Sequence, residues 1–237
     1  MDLLRIVSPI YSENTYVLGT ETGQALVVDP GAGNFPRVKQ VLESLQMQLG
    51  AILLTHGHAD HIWDAHQVQQ LNPEAPILIS APDMFWFDAP GPAEQLGNAG
   101  YMAANAGPWQ AVAPTELDPA FFAEGGAQLW PGLAVRAFLA PGHSPGCTMF
   151  FLSGKVHDHG QGLGFPPDED ALFGFSGDVV FRGSVGRTDL PHSDPKAMEE
   201  TLRTLRQVIA PQTLLLPGHG QATSWGEELR SNPFLFN

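Results

Sequence analysis

Three imidazoles and one carboxylate fall within six residues in Thr55-His56-Gly57-His58-Ala59-Asp60-His61, directly after the apolar run Ala51-Ile52-Leu53-Leu54. A strand end that delivers four such donors to one point suits a metal ion, because zinc takes imidazole nitrogens and carboxylate oxygens at about 2.0 to 2.2 Å. Gly142-His143-Ser144, Ser176-Gly177-Asp178 and Pro217-Gly218-His219-Gly220 each set one more donor beside a short apolar run. The candidates His56, His58, Asp60, His61, His143, Asp178 and His219 exceed what one tetrahedral ion needs and suffice for two. A tight loop can aim His56 and His58 to one side, while His61 opens a helix and points with Asp60 to another.

The elements that must carry these residues alternate between strand and helix. Thr15-Tyr16-Val17-Leu18 and Ala25-Leu26-Val27-Val28 flank the turn-rich Thr20-Glu21-Thr22-Gly23 and read as a hairpin. Val38, Val41, Leu42 and Leu45 recur at helical spacing, with Asn34 as cap and Pro36 in the first turn. A strand through Ile52 to Leu54 delivers the histidine cluster, a helix over 61–71 turns Ile62, Ala65 and Val68 inward, and Pro76 to Ile79 is the next strand. Leu133 to Leu139, Cys147 to Leu152, Leu172 to Phe175 and Thr213 to Leu216 read as strands, and Asp194 to Ile209 as a helix burying Ala197, Leu202, Leu205 and Val208. Between these lie an irregular insertion over 81–124, with a short helix at Asp83 to Phe87, and a polar excursion over 155–170. Tyr101, Met102 and Trp109 of the insertion either line a substrate pocket or pack it against the body.

With these motifs in this order, the chain resembles the metallo-β-lactamase superfamily of metal-dependent hydrolases, and within it the glyoxalase II-like branch, from Asp29-Pro30-Gly31 to Asn232-Pro233-Phe234-Leu235. The resemblance implies an α/β fold, the four-layer αβ/βα sandwich, as one domain over 1–237. It implies that His56, His58 and His143 hold one divalent ion, that Asp60, His61 and His219 hold a second, and that Asp178 bridges them. Zinc is the first choice, with Fe or Mn also accepting imidazole and carboxylate. A hydroxide between two ions would attack the substrate carbonyl, and Asp60 would orient it as the catalytic residue. Hydrolysis of a thioester is the implied activity, without the C-terminal helical domain of hydroxyacylglutathione hydrolases. Gly186-Arg187-Thr188-Asp189 also resembles a segment of persulfide dioxygenases, which use one iron, so that chemistry is the enzymatic alternative; a non-catalytic metal-binding module is the alternative of another class.

Arg187 is expected beside the metals, reading an anionic part of the substrate, or else in an ion pair with Asp189. Asp29 either orients a ligand histidine or caps a turn. Gly31, Gly146 and Gly218 mark sharp turns or close approach to the metals. Cys147 reads as a small buried thiol and not as a nucleophile. His66, His157 and His159 are given no ligand role, and His192 is a candidate for substrate contact.

The formal charge of −14, with eleven Lys and Arg against 25 Asp and Glu, argues against nucleic-acid and membrane partners. Two divalent cations would reverse the sign locally, so a small anionic thioester remains a suitable substrate. One cysteine excludes an internal disulfide framework, and Met1-Asp2-Leu3-Leu4-Arg5-Ile6 lacks the positive start and sustained apolar run of a signal peptide, so the cytoplasm is the expected location. No signal for an oligomeric state is present.

Overall fold

The computed structural model describes residues 1–236. β1 (Asp2–Val7), β2 (Asn14–Gly19) and β3 (Gln24–Val28) form a meander, α1 (Phe35–Ser44) crosses over to β4 (Gln48–Leu53), and α2 (Ala59–Ile62) and α3 (Ala65–Gln69) lead to β5 (Ile77–Ile79). A 3₁₀ turn over Ala81–Phe87, α4 (Pro92–Gln95) and α5 (Ala99–Ala106) precede β6 (Thr115–Glu116), the edge strand of a six-stranded sheet ordered β1 to β6. The second sheet collects β7 (Ala127–Trp130), β8 (Leu133–Leu139), β9 (Thr148–Lys155) and β10 (Asp170–Gly177). The small hairpin β11 (Val180–Phe181) and β12 (Ser184–Val185) follows, then α6 (Pro195–Val208), β13 (Leu214–Pro217), β14 (Thr223–Ser224) and α7 (Trp225–Ser231). The second sheet runs β14-β13-β10-β9-β8-β7.

Side-chain alternation along the strands builds four layers. Leu18, Leu26, Val28 and Leu53 pack against Val135, Ala137, Phe150, Phe173 and Phe175, filling the space between the sheets. The intervening residues Val17, Val27 and Ile52 face Val38, Val41 and Leu42 of α1 and Ile62, Ala65 and Val68 beyond it. On the far side Met149 and Leu215 pack under Met198, Leu202 and Leu205 of α6 and under Trp225. This is the αβ/βα sandwich. Among the described residues no helix is long and apolar enough to cross a membrane.

Several local expectations change. The helix expected over 61–71 breaks at Asp64 because the loop after β3 inserts into its ladder: Ala32 N–H donates to the Asp60 carbonyl at 3.1 Å, and Asp64 N–H turns out to Pro30 O at 3.0 Å. Asn34 does not cap α1 with its side chain, which donates instead to Thr15 Oγ1 at 2.8 Å, and Asp64 Oδ2 accepts the Phe35 N–H at 2.7 Å. Val208 is 56% exposed, so α6 buries Met198 and Thr201 in addition to Leu202 and Leu205. Asp194 caps that helix, accepting from Lys196 N and Ala197 N. In the insertion Met102 is buried beside Trp63, and Trp109 packs on Trp63 with ring centroids 5.3 Å apart, so both take the packing role. The excursion is not wholly superficial either, since Leu163 enters the inter-sheet core and Phe165 packs edge-on against Phe173.

Candidate metal centre

The motif residues arrive from loops at one end of both sheets. Thr55 to His58 follow β4, His143 follows β8, Asp178 follows β10 and His219 follows β13. All seven predicted donors are brought together. His56, His58 and His143 form one group whose ligand atoms lie within 4.8 Å of one another, and Asp60, His61 and His219 form another. Asp178 spans them: its Oδ1 lies 3.3 Å from His61 Nε2, and its Oδ2 lies 3.4 Å from both His143 Nε2 and His219 Nε2. Gly218 permits this crowding, because a Cβ there would collide with Asp178 Oδ1 and would stand 2.6 Å from His61 Cε1.

Four of the five rings are held from behind by Nδ1. His143 Nδ1 donates to Arg187 O at 2.8 Å, and His219 Nδ1 to Tyr11 O at 3.0 Å. Asp29 fixes two more rings, which settles its role as an orienting carboxylate. It accepts from His61 Nδ1 at 3.0 Å, from Thr55 N at 2.7 Å and from Thr55 Oγ1 at 2.6 Å, and Thr55 Oγ1 in turn stands 3.0 Å from His56 Nδ1. Such backing fixes the tautomer and leaves Nε2 bare toward the centre. His56 Nε2, His58 Nε2, His143 Nε2 and Asp178 Oδ1 are accordingly buried without a hydrogen-bond partner. Orphaned buried polar atoms are costly. The His56, His58 and His143 donors lie within 4.8 Å of one another and Asp178 Oδ1 faces His61, and these residue types, which ligate borderline divalent metals, fit bound metal ions.

The electrostatics divide the groups. Burial, and then the neighbouring His61, lower His56 well below the usual imidazole range; burial first and His143 next bring His58 down to about 3. In the other group burial would also depress His61 and His219, but Asp178 and Asp60 outweigh it, raising His61 well above its ordinary value and His219 to about 10. Burial opposes ionisation of Asp60 and Asp178, yet the facing His61 and His219 hold both carboxyls below the usual range.

Three residues around the centre carry no sequence signal of their own. Asp83, fully buried, accepts from Gly57 N at 2.9 Å, Gly146 N at 2.6 Å and Ser144 Oγ at 2.6 Å, clamping the His58 loop to the His143 loop. Gly146 is the glycine that lets Asp83 approach. Glu13, also fully buried, accepts from Thr15 Oγ1 and Asn34 Nδ2, and burial pushes its carboxyl well up. Tyr11, with φ at 56°, lends its carbonyl to His219, lines the cleft and stacks its ring on Tyr101 at 5.0 Å.

The donors open into a cleft of about 510 Å³ whose walls include Tyr11, Leu96, Asn98, Phe181, Leu190 and Arg187. Of the insertion it is Leu96 and Asn98 that reach the cleft, and not Tyr101, Met102 or Trp109. Arg187 lines the cleft, and its guanidinium is paired with Asp189, Nε to Oδ1 at 2.6 Å and a second nitrogen to Oδ2 at 2.7 Å, so the ion-pair expectation is the one the contacts bear out. A second cavity of about 500 Å³ shares Ser184, Val185 and Arg187 with the cleft and adds Arg203 and Arg206. His192 is exposed and packs on Phe85 and Trp86 outside the cleft walls. Cys147 is buried, and burial raises its thiol well above the ordinary range.

A sandwich of this topology with histidine and aspartate donors at the strand ends defines a metal-dependent hydrolase. The sequence profile of the metallo-beta-lactamase superfamily matches residues 9–157, and the chain belongs to that superfamily. It is similar to hydroxyacylglutathione hydrolase GloC of Haemophilus influenzae, 30% identical over 226 residues, covering 95% of this chain and 93% of that protein. Among solved structures it is similar to BLEG-1 B3 metallo-beta-lactamase, with a TM-score of 0.76 at 27% identity over 99% of this chain and all of that one. The di-iron-bound form of TTHA1623 matches with a TM-score of 0.70 at 29% identity, covering 98% and 99% of the two chains.

Proposed function

We propose that this protein is a binuclear metal-dependent thioesterase of the glyoxalase II-like type, acting on a small anionic thioester. The observation that carries the reading is the position of Asp178, one oxygen toward His61 and the other toward His143 and His219, which is where a carboxylate shared by two ions belongs. His56, His58 and His143 would hold one ion and Asp60, His61 and His219 the other, with zinc preferred and Fe or Mn compatible.

When bound, the two ions would supply a water of lowered pKa and polarise the carbonyl to be attacked. The protein's own part is positional. Asp60 would help to hold an ion and to orient the water it supplies, Asp29 and Thr55 hold His56 and His61 in one tautomer, and the Arg187 carbonyl does the same for His143. No side-chain nucleophile is required, consistent with a Cys147 thiol that is buried and held protonated. Hydrolysis adds water across the acyl–sulfur bond, releasing a carboxylic acid and a thiol.

Arg187 at the cleft rim, with Arg203 and Arg206 in the adjoining cavity, gives an anionic substrate tail a place to lie in a chain that is otherwise strongly acidic. The hydroxyacylglutathione hydrolase activity for which the Haemophilus relative is named supports thioester chemistry. A reducing cytoplasmic location accords with the single, unpaired Cys147. The test is a panel of glutathione, coenzyme A and small neutral thioesters, with a β-lactam as counter-substrate, assayed on protein of defined metal content. Turnover of anionic thioesters at least tenfold above the neutral and β-lactam substrates supports the proposal; preference for the β-lactam overturns it.

A further inference from the structure

A second histidine cluster stands at the opposite end of the sandwich. β9 begins beside the metal centre, where Thr148 N donates to Thr55 O, and runs eight residues to Lys155, which places its far end roughly 25 Å away. There Asp2 opens β1, and the chain leaving β9 carries His157 and His159. Asp2 Oδ1 lies 3.4 Å from His157 Nδ1 and 3.0 Å from His159 Nε2, and the two rings are 4.2 Å apart. The three ligand atoms fall within 4.8 Å of one another.

The two Asp2–histidine separations match neighbouring atoms of a coordination shell. At the bond lengths of zinc, neighbouring ligand atoms of a tetrahedron stand about 3.3 Å apart and those of an octahedron about 2.9 Å. The backbone prepares the arrangement. Leu3 N donates to His157 O and His157 N to Met1 O, both at 2.9 Å, fixing Asp2 opposite His157. His159 takes a left-handed backbone, φ 52°, uncommon outside glycine, and it turns the ring back toward Asp2. The loop beyond is tied in place: Asp158 accepts from Gly160 N and Leu163 N, while Gln161 exchanges two hydrogen bonds with the Arg5 backbone.

We propose that Asp2, His157 and His159 form a separate, exposed site for a borderline divalent transition metal, zinc first, that clips β1 to the segment following β9. Two imidazoles and one carboxylate suit zinc or nickel, whereas magnesium and calcium prefer oxygen donors. With three protein donors and 70% exposure of the His157 side chain, water completes the shell and the ion exchanges readily. The site shares no residue with the proposed catalytic centre, so its metal is not needed for turnover.

The experiment uses tag-free full-length protein already loaded at the catalytic centre, titrated with further zinc by calorimetry beside H157Q/H159Q and D2N. Wild type should take up one more zinc per chain than the double variant, D2N should bind it at least tenfold more weakly, and hydrolytic turnover should be the same in all three. In wild type alone, added zinc should shift the histidine Cε1–H resonances of His157 and His159 and raise the melting temperature. Equal zinc uptake by wild type and double variant, or unshifted His157 and His159 resonances at saturating zinc, overturns the proposal.

Discussion

Asp83 gives the sharpest test of how the centre is held. Its buried carboxylate receives three donors from two loops, Gly57 N and Ser144 Oγ on one oxygen and Gly146 N on the other. Asp83→Asn keeps the shape but turns one oxygen into an N–H₂ group, so at least one donor loses its acceptor and faces another donor. A buried donor left unpaired costs about 1 to 3 kcal/mol, and replacing the charged acceptor weakens the remaining bonds, for a total of roughly 2 to 4 kcal/mol. At about 2 to 4 °C per kcal/mol for a chain of this size, the metal-free protein should melt roughly 4 to 16 °C lower. Ser144→Ala removes one of the three donors to Asp83, together with a weak contact to Cys147 Sγ, and should cost about 1 to 2 kcal/mol. Scanning calorimetry reads the stability, and elemental analysis reads the second consequence, a loss of metal as the His58 and His143 loops separate. An Asp83→Asn protein that melts within about 1 °C of wild type and keeps its metal would refute the clamp.

Asp178→Ala should deplete metal from both groups and lower kcat by at least about a hundredfold, read by elemental analysis and steady-state kinetics. Cys147→Ala should retain most activity with metal unchanged, since the thiol is buried and held protonated. Arg187→Ala should raise KM for anionic thioesters about threefold to tenfold with kcat and metal content little changed, because the change removes substrate binding and not coordination. Proton competition should separate the two groups in a chelator challenge. His219, raised to about 10 in the metal-free protein, must lose a proton before it can ligate, so affinity there falls as pH falls, about tenfold per unit for each proton. His58, lowered to about 3, has no proton to displace at neutral pH, so lowering the pH from 8 to 6 should strip the Asp60, His61 and His219 group first.

The seven donors were legible because each sits at the end of an apolar run within a short motif, and a strand end in a sandwich has only one place to go. The residues that hold them were not, since their partners lie far along the chain. Asp83 reaches Ser144 and Gly146 across 61 and 63 positions, and His219 leans on Tyr11 across 208. The break at Asp64 had the same origin: the sequence around it keeps helical spacing, and only the loop at Pro30 to Ala32 diverts the hydrogen bonds. Helix faces were readable to within a turn, failing at Val208, which is exposed in the last turn of α6. Asp29 was left between two roles by local reasoning, and its contacts with Thr55 and His61 decided the matter.

The central claim is that two ions, bridged by Asp178, work together on a thioester. Metal-free protein titrated with zinc, with hydrolysis of a hydroxyacylglutathione followed at each step, tests it most directly. Little turnover is expected at one equivalent and full turnover at two, with nothing further gained by a third. Full activity at one equivalent, or oxygen consumption with a persulfide in place of thioester hydrolysis, would contradict it.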